Sequence, residues 1–268
     1  DRADVAGEAR RKGLNLEDAA RRLRYQFFAS VAAARELNCV AVAHTADDQA
    51  ETVLAHLLRG TRLAGLAGIY PVSGRIIRPL LEIGRDELRD FLSSMRQPWR
   101  EDATNQDTSR MRARIRHQLL PLLRQDFDPS TVTRLARLAN LAREEETFWR
   151  VLEDDRFVAL TVREPSGEVS VKIADMLSPL PALNSQGGGA GLPPASTVAL
   201  TRRFVRRIYA GLHGSRQQLT AQHVQDVLDL ATKSQSGARI ELPGILVQRN
   251  FDRLVFSSVP VVQVAEKK

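Results

Sequence analysis

One cysteine, Cys39, stands among the 268 residues. A lone cysteine closes no disulfide within the chain, anchors no iron–sulfur cluster and builds no cysteine-rich zinc site, which fits a reducing cytoplasm. His44, His56, His117, His213 and His223 lack metal-ligand spacing. Apolar residues never run on for the ~18 positions that a membrane-crossing helix needs, and residues 1–30 are charged throughout, without the apolar centre of a signal peptide. No membrane partner is expected. No Gly-x-Ser-x-Gly elbow, Walker A loop or dinucleotide glycine fingerprint occurs. Lysine is scarce as well, confined to Lys12, Lys172, Lys233, Lys267 and Lys268, so the positive charge is carried by arginine.

What is present is enough apolar residue, 43%, to bury a core, and a formal net charge of +7. A basic balance favours a polyanionic partner, nucleic acid before an anionic membrane. Arginine is the better bidentate partner for phosphate, although a GC-rich genome produces the same bias.

Residues 1–129 read as alternating helix and strand. Asn15 caps a helix whose apolar positions, Leu16, Ala19, Leu23, Phe27 and Val31 among them, recur near helical spacing. The run Cys39-Val40-Ala41-Val42-Ala43 suits a buried strand of a parallel sheet. His44-Thr45-Ala46-Asp47-Asp48 then leads into a second helix that ends near Arg59-Gly60. Such a unit is half of an open, doubly wound α/β sheet, whose ligands bind at the carboxyl ends of strands. Helices are predicted at 85–95, 110–125 and 131–160, the last with a stripe of Leu135, Leu138, Leu141, Ala142, Phe148 and Trp149 expected to face the core. Pro129 is the expected boundary, giving a nucleotide-binding part at 1–129 and a mostly helical substrate-binding part at 130–268. Within the latter, residues 184–196 read as a flexible loop or insertion, helices are predicted at 198–211 and 220–232, and strands at 238–242, 245–249 and 253–257.

Three constellations carry chemistry. Asp47, Asp48 and Glu51 fall on the first turn and a half of the helix after His44, with Asp47 and Glu51 on one face. Carboxylates there suit Mg²⁺ on a triphosphate, or an amine; ordinary capping explains Asp47 alone equally well. Arg59-Gly60 and Arg78-Pro79 each place a guanidinium beside a constrained backbone, and each is weak by itself. The segment from Trp99 to His117 reads as an Asx-rich loop, including Asn105, capping a helix with Arg110, Arg112, Arg114 and Arg116. Four arginines with no acid among them repel one another unless an anion such as a polyphosphate or RNA backbone is near. Farther on, Arg203 and Arg207 share a helix face, as do Arg202 and Arg206, a stripe that suits phosphate and equally a solvated surface.

Taken in order, HTADDQAETVLAHLLRGTRLAGLAGI, RPLLEIGRDEL and WREDATNQD…RARIRHQLLPLL resemble the tRNA(Ile)-lysidine synthetase family of PP-loop ATP enzymes, and ARIELPGILVQRNFDRLVF resembles the close of that family's helical domain. The resemblance implies a ligase that uses ATP to adenylate the C2 oxygen of the wobble cytidine in an isoleucine tRNA with a CAU anticodon. The ε-amine of free L-lysine then displaces AMP. By position it implies catalytic roles for Asp47, Asp48, Glu51 and Arg112, ATP contacts for His44, Asp47, Arg59 and Gly60, and Mg²⁺ at Asp47 and Asp48. Substrate or tRNA contacts fall to Arg78, Asn105, Arg112, Arg116, Arg203 and Arg207, and a homodimer is among the expectations. Two departures stand out. The family's Arg-Asn pair is Arg112-Ala113 here, and nothing in residues 1–43 resembles its phosphate-cradling Ser-Gly-Gly-x-Asp-Ser loop. The expectation is therefore a chain from which that loop is absent, with a non-catalytic tRNA-binding module as the alternative. A thiolating PP-loop enzyme would need paired cysteines.

Overall fold

The computed structural model describes residues 2–100, 111–178, 194–213 and 219–258. The chain is a mixed α/β protein that divides into two compact units, 1–146 and 147–268.

The first unit opens with α1 (Val5–Lys12) and α2 (Leu16–Ala34). Asn15 caps α2 as its sequence predicts, its side-chain oxygen accepting the Asp18 N–H at 2.8 Å. The strand expected at 39–43 is shorter, β1 being Val40–Ala41. After it come α3 (Ala46–Leu58), α4 (Leu63–Leu66), β2 (Val72–Ser73), β3 (Ile76–Ile77) and α5 (Arg85–Ser94). The sheet order is β1-β3-β2, with β1 parallel and β2 antiparallel to β3. Because β1 and β3 run the same way, side by side, the residues that leave their carboxyl ends, His44 and Arg78, emerge as neighbours.

Next, α6 (Met111–Arg114) passes through a π-helical turn, Ile115–Leu119, into α7 (Leu120–Asp126). Pro121 follows the turn and has no N–H to give to a regular helical ladder. The apolar packing here is slight: Ala50, Leu54 and Ala55 of α3 meet Ile115 and Leu120.

The long helix α8 (Thr131–Leu160) contains the boundary between the units. Its predicted core stripe is corrected in part. Leu138, Leu141 and Phe148 are exposed, whereas Leu135 packs against the apolar cluster and Ala142 and Trp149 are half-buried on the face of buried Ala139 and Glu146. The stripe read from large apolar residues was too wide because the buried face also carries a small residue and a charged one.

The second unit adds two strands that the sequence reading did not predict, β4 (Thr161–Arg163) and β5 (Val169–Lys172), then α9 (Ile173–Leu177), α10 (Pro194–His213), α11 (Ala221–Lys233), β6 (Arg239–Leu242), β7 (Ile245–Asn250) and β8 (Arg253–Ser258). Most of the predicted loop at 184–196 lies outside the described residues, and Pro194 already begins α10. The five strands form an antiparallel sheet ordered β4-β5-β8-β7-β6. Alternate residues Val169 and Val171, Ile245 and Val247, and Leu254 and Phe256 turn one face toward Phe204, Val205 and Ile208 of α10 and Val224, Val227 and Leu230 of α11. Each such buried side chain is worth about 1.5–3 kcal/mol relative to exposure.

Candidate active site

The site begins with the turn from β1 into α3. Thr45, in extended conformation, caps α3: its hydroxyl oxygen accepts the Asp48 N–H at 3.4 Å, and the Asp48 carboxylate accepts the Thr45 N–H at 2.9 Å. The Asp47 carboxylate reaches across to the first residue of α5 and accepts the Arg85 backbone N–H at 2.7 Å. One turn further along α3, Glu51 is wholly buried.

Three guanidiniums converge on Glu51. Arg116 holds both its oxygens, Nε at 2.6 Å and an Nη at 2.9 Å, while Arg112 Nε lies at 3.0 Å and an Arg85 Nη at 3.4 Å. Arg112 and Arg116 also reach Asp48 at 3.4 and 3.2 Å. A buried carboxylate is tolerable only when paired and hydrogen-bonded, and here Arg85, Arg112 and Arg116 do both. The hydrogen bond to Glu51 is also the main reason that Arg116 holds its proton more firmly than an ordinary arginine. Arg112 and Arg116 face one target together, as their spacing predicts, with the π-helical turn starting between them.

On the other flank, Arg78 is buried and donates from Nε to His44 Nδ1 at 3.3 Å and from Nη1 to the Tyr70 carbonyl at 2.6 Å. Burial lowers the His44 pKa and the neighbouring arginines add to that, against Asp48. Because Arg78 donates to it, His44 Nδ1 is an acceptor, which leaves the ring neutral with its N–H on Nε2.

Two clefts flank Glu51. The larger, about 1010 Å³, is lined by His44, Glu51, Arg59, Arg78, Arg112 and the backbone segment Gly68–Tyr70, among others. The smaller, about 670 Å³, is lined by Asp47, Glu51, Arg85, Asp86, Arg116 and Arg124, among others. The wall at Gly68–Tyr70 is fixed by two residues that sequence reading passed over. Buried Gln49 accepts the Ile69 N–H at 2.7 Å and donates to the Ile69 carbonyl at 3.3 Å, and Arg143 of α8 donates to the Ala67 and Ile69 carbonyls at 3.1 and 3.0 Å.

The predicted residues thus separate into groups. His44, Asp47, Asp48, Glu51, Arg78, Arg112 and Arg116 come together, and Arg59 lines the larger cleft as the C-cap of α3. Gly60 follows with φ +75°, ending the helix. Asn105 and Arg110 lie outside the described residues. In the second unit, Arg203 pairs with Glu153 and stacks over Trp149, and Arg207 pairs with Asp154 and stacks over Phe157. Arg85 was missed, yet it left a signal: an arginine opening a helix opposes the helix dipole unless an acid waits there. Among the described residues, no group of three or more His, Cys, Asp or Glu is placed to hold a metal ion.

Residues 1–123 match the family model of a PP-loop domain. The chain is similar to the tRNA(Ile)-lysidine synthase of Solibacter usitatus, 38% identical over 241 residues that cover 90% of this chain and 51% of that protein. It is also similar to the enzymes so named from Geobacter sulfurreducens, at 36% over 91% of this chain and 49% of the relative, and Caldanaerobacter subterraneus, at 37% over 88% and 46%. The chain spans about half the length of the curated relatives it matches.

Proposed function

We propose that this chain, a member of the tRNA(Ile)-lysidine synthase family, forms part of an ATP-dependent ligase that attaches free L-lysine to C2 of the wobble cytidine in the CAU-anticodon isoleucine tRNA. The observation that carries the reading is Glu51, buried between two clefts and shared by arginines that line both. One acid so placed fixes the cations of two substrate sites at once.

The larger cleft is the nucleotide side. Arg59, Arg78 and Arg112 supply fixed positive charge for phosphoryl oxygens, and neutral His44 supplies an N–H donor. The parallel β1–β3 pair below it is read as a piece of a doubly wound sheet. The smaller cleft is the amino-acid side, where Arg85, Arg116 and Arg124 suit a carboxylate and Asp47 and Asp86 suit an ammonium. Adenylation joins the C2 oxygen to the α-phosphorus of ATP and releases pyrophosphate. The lysine ε-amine then forms the C2–N bond, AMP leaves and a proton is lost. With a free pKa near 10.4, that amine needs a base. Asp48 and Glu51 are engaged by guanidiniums, so the base is drawn from the other acids of the smaller cleft, Asp47 and Asp86.

Mg²⁺ commonly sits on one or two carboxylates and substrate phosphates, which needs no three-ligand cluster. Asp47, with one oxygen on the Arg85 N–H, would hold it in that shared sense beside Asp48, whose oxygens already meet Thr45, Arg112 and Arg116, and the ion would supply charge to the triphosphate. For tRNA, Arg78, Arg112 and Arg116 stand at the clefts, while a phosphate reaching Arg203 or Arg207 competes with Glu153 and Asp154. No helix among the described residues is long and apolar enough to cross a membrane, and such a reaction belongs where ATP and tRNA are, in the cytoplasm.

The test is incorporation of labelled lysine into the tRNA, assayed for the chain alone and for a chimera in which it replaces the matching region of the Solibacter usitatus relative. Incorporation by either, lost in Arg112→Ala and without cytidine at the wobble position, is the expected result. No incorporation by both overturns the reading.

A further inference from the structure

The hairpin that joins β7 to β8 carries an anomaly. Asn250 pairs with Arg253, leaving Phe251 and Asp252 as a two-residue loop. The first position of such loops takes positive φ and is ordinarily Gly, Asn or Asp. Phe251 occupies it at φ 52°, with 83% of its surface exposed. A bulky residue in the left-handed region is strained, and an exposed ring gains nothing from burial. The conformation is nevertheless held, since the Phe251 N–H donates to Ser236 Oγ at 2.9 Å and Arg249 Nε donates to the Phe251 carbonyl at 3.4 Å.

Register shows what surrounds the ring. Paired residues share a face of a sheet, so Lys172, Arg253 and Asn250 form one row across β5, β8 and β7, and Val162, Ser170, Val255, Gln248 and Arg239 form the next, on the face away from α10 and α11. The row nearest the tip is two cations and an amide. On the same face Glu168 and Glu241 stand toward the far ends of their strands, and Asp252 is at the tip beside the ring. A shallow cleft of about 570 Å³, lined by Val162, Ser170, Asn250, Arg253 and Val255, with Glu164 and Glu168 toward its other end, runs over this face.

We propose that this hairpin tip is an RNA contact in which Phe251 stacks on an unpaired base while Lys172 and Arg253 hold its flanking phosphates. Aromatic stacking beside cationic side chains is how single-stranded nucleic acid is gripped without reading its sequence. The inference rests on the reading that the chain binds tRNA, and adds where in the second unit an unpaired nucleotide docks.

The experiment measures binding of the chain to a labelled RNA stem-loop and to a fully paired duplex, across a salt series. Phe251→Asn removes the ring at a position asparagine tolerates, so its melting temperature should match or exceed that of the unaltered chain. Stem-loop affinity should fall about tenfold with an unchanged salt slope, and Phe251→Trp should restore it. Arg253→Gln should instead reduce the salt slope by about one. Duplex affinity should be indifferent to Phe251. If the chain binds the stem-loop and Phe251→Asn binds within about twofold of it, the stacking contact is wrong and the tRNA reading survives. If the unaltered chain binds neither RNA, both fail.

Discussion

The arginines nearest the centre of each unit do different work. In the first unit Arg85, Arg112 and Arg116 turn inward to share Glu51 and Asp48, in a region whose apolar packing is mainly alanine, leucine and one isoleucine. In the second, a full apolar core holds the sheet against α10 and α11, and arginines finish its edges. Arg156 donates to the carbonyls of Asp175, Met176 and Ser178, and Arg249 to those of Ala231 and Ser234 at the end of α11. A unit organised around buried charge can present fixed cations to a substrate. A unit organised around apolar burial uses the same side chain to satisfy backbone oxygens.

Glu51→Ala attacks the first arrangement at its centre. It leaves three guanidiniums without their shared acid, and removing one partner of a buried ion network costs about 3–5 kcal/mol. Denaturation followed by amide exchange should show the loss within residues 1–146, with α11 and β6–β8 still protected. A loss spread evenly over both units would break the comparison.

Gly68→Ala is expected to cost about 1–3 kcal/mol. At φ +59° an added Cβ would meet Gln49 Oε1 at 2.7 Å, and Gln49 is buried and held by its hydrogen bonds to Ile69. The substitution pushes the wall of the larger cleft, so a weakened affinity for ATP should accompany the lower urea midpoint. Unchanged nucleotide binding would detach that wall from the nucleotide.

Thr45→Ala is smaller, about 1 kcal/mol, because it removes one N-cap. It also removes the 3.1 Å hydrogen bond from Thr45 Oγ to the Asp48 carboxylate, leaving that group to the Thr45 backbone N–H and the surrounding arginines. A modest drop in melting temperature with faster exchange of the Asp48 amide is the expected result.

The local part of this site was legible in the sequence. The cap of α2 and the pairing of Arg112 with Arg116 on one face follow from spacing, as does the placement of His44 and Asp47 at a strand end. What could not be read is the convergence. Glu51 meets Arg85, Arg112 and Arg116 across 34, 61 and 65 residues, and no periodicity encodes such contacts. Gln49 was invisible for the same reason, since its partners are backbone atoms near Ile69. On α8 the pattern misled in part: Leu138, Leu141 and Phe148 mark exposed positions, while Arg156 is buried because three carbonyls receive its guanidinium. Arg203 and Arg207 do share a face as predicted, but α8 supplies acids against it that helix spacing on α10 alone cannot reveal.

The smallest expected effect is that of Asp154→Asn. Asp154 is more than half exposed and pairs with Arg207, which also stacks on Phe157. Exposed pairs contribute about 0–1 kcal/mol, so the urea midpoint should barely move. Its second consequence carries the weight. Without the acid, Arg207 presents a full charge to solvent, and binding of RNA should tighten with a salt slope steeper by up to about one if a phosphate reaches it. A stability loss near that of Glu51→Ala would mean that charge organises both units alike. An unchanged salt slope would assign Arg207 to the packing of α10 on α8 and leave the phosphates to the first unit and the hairpin tip.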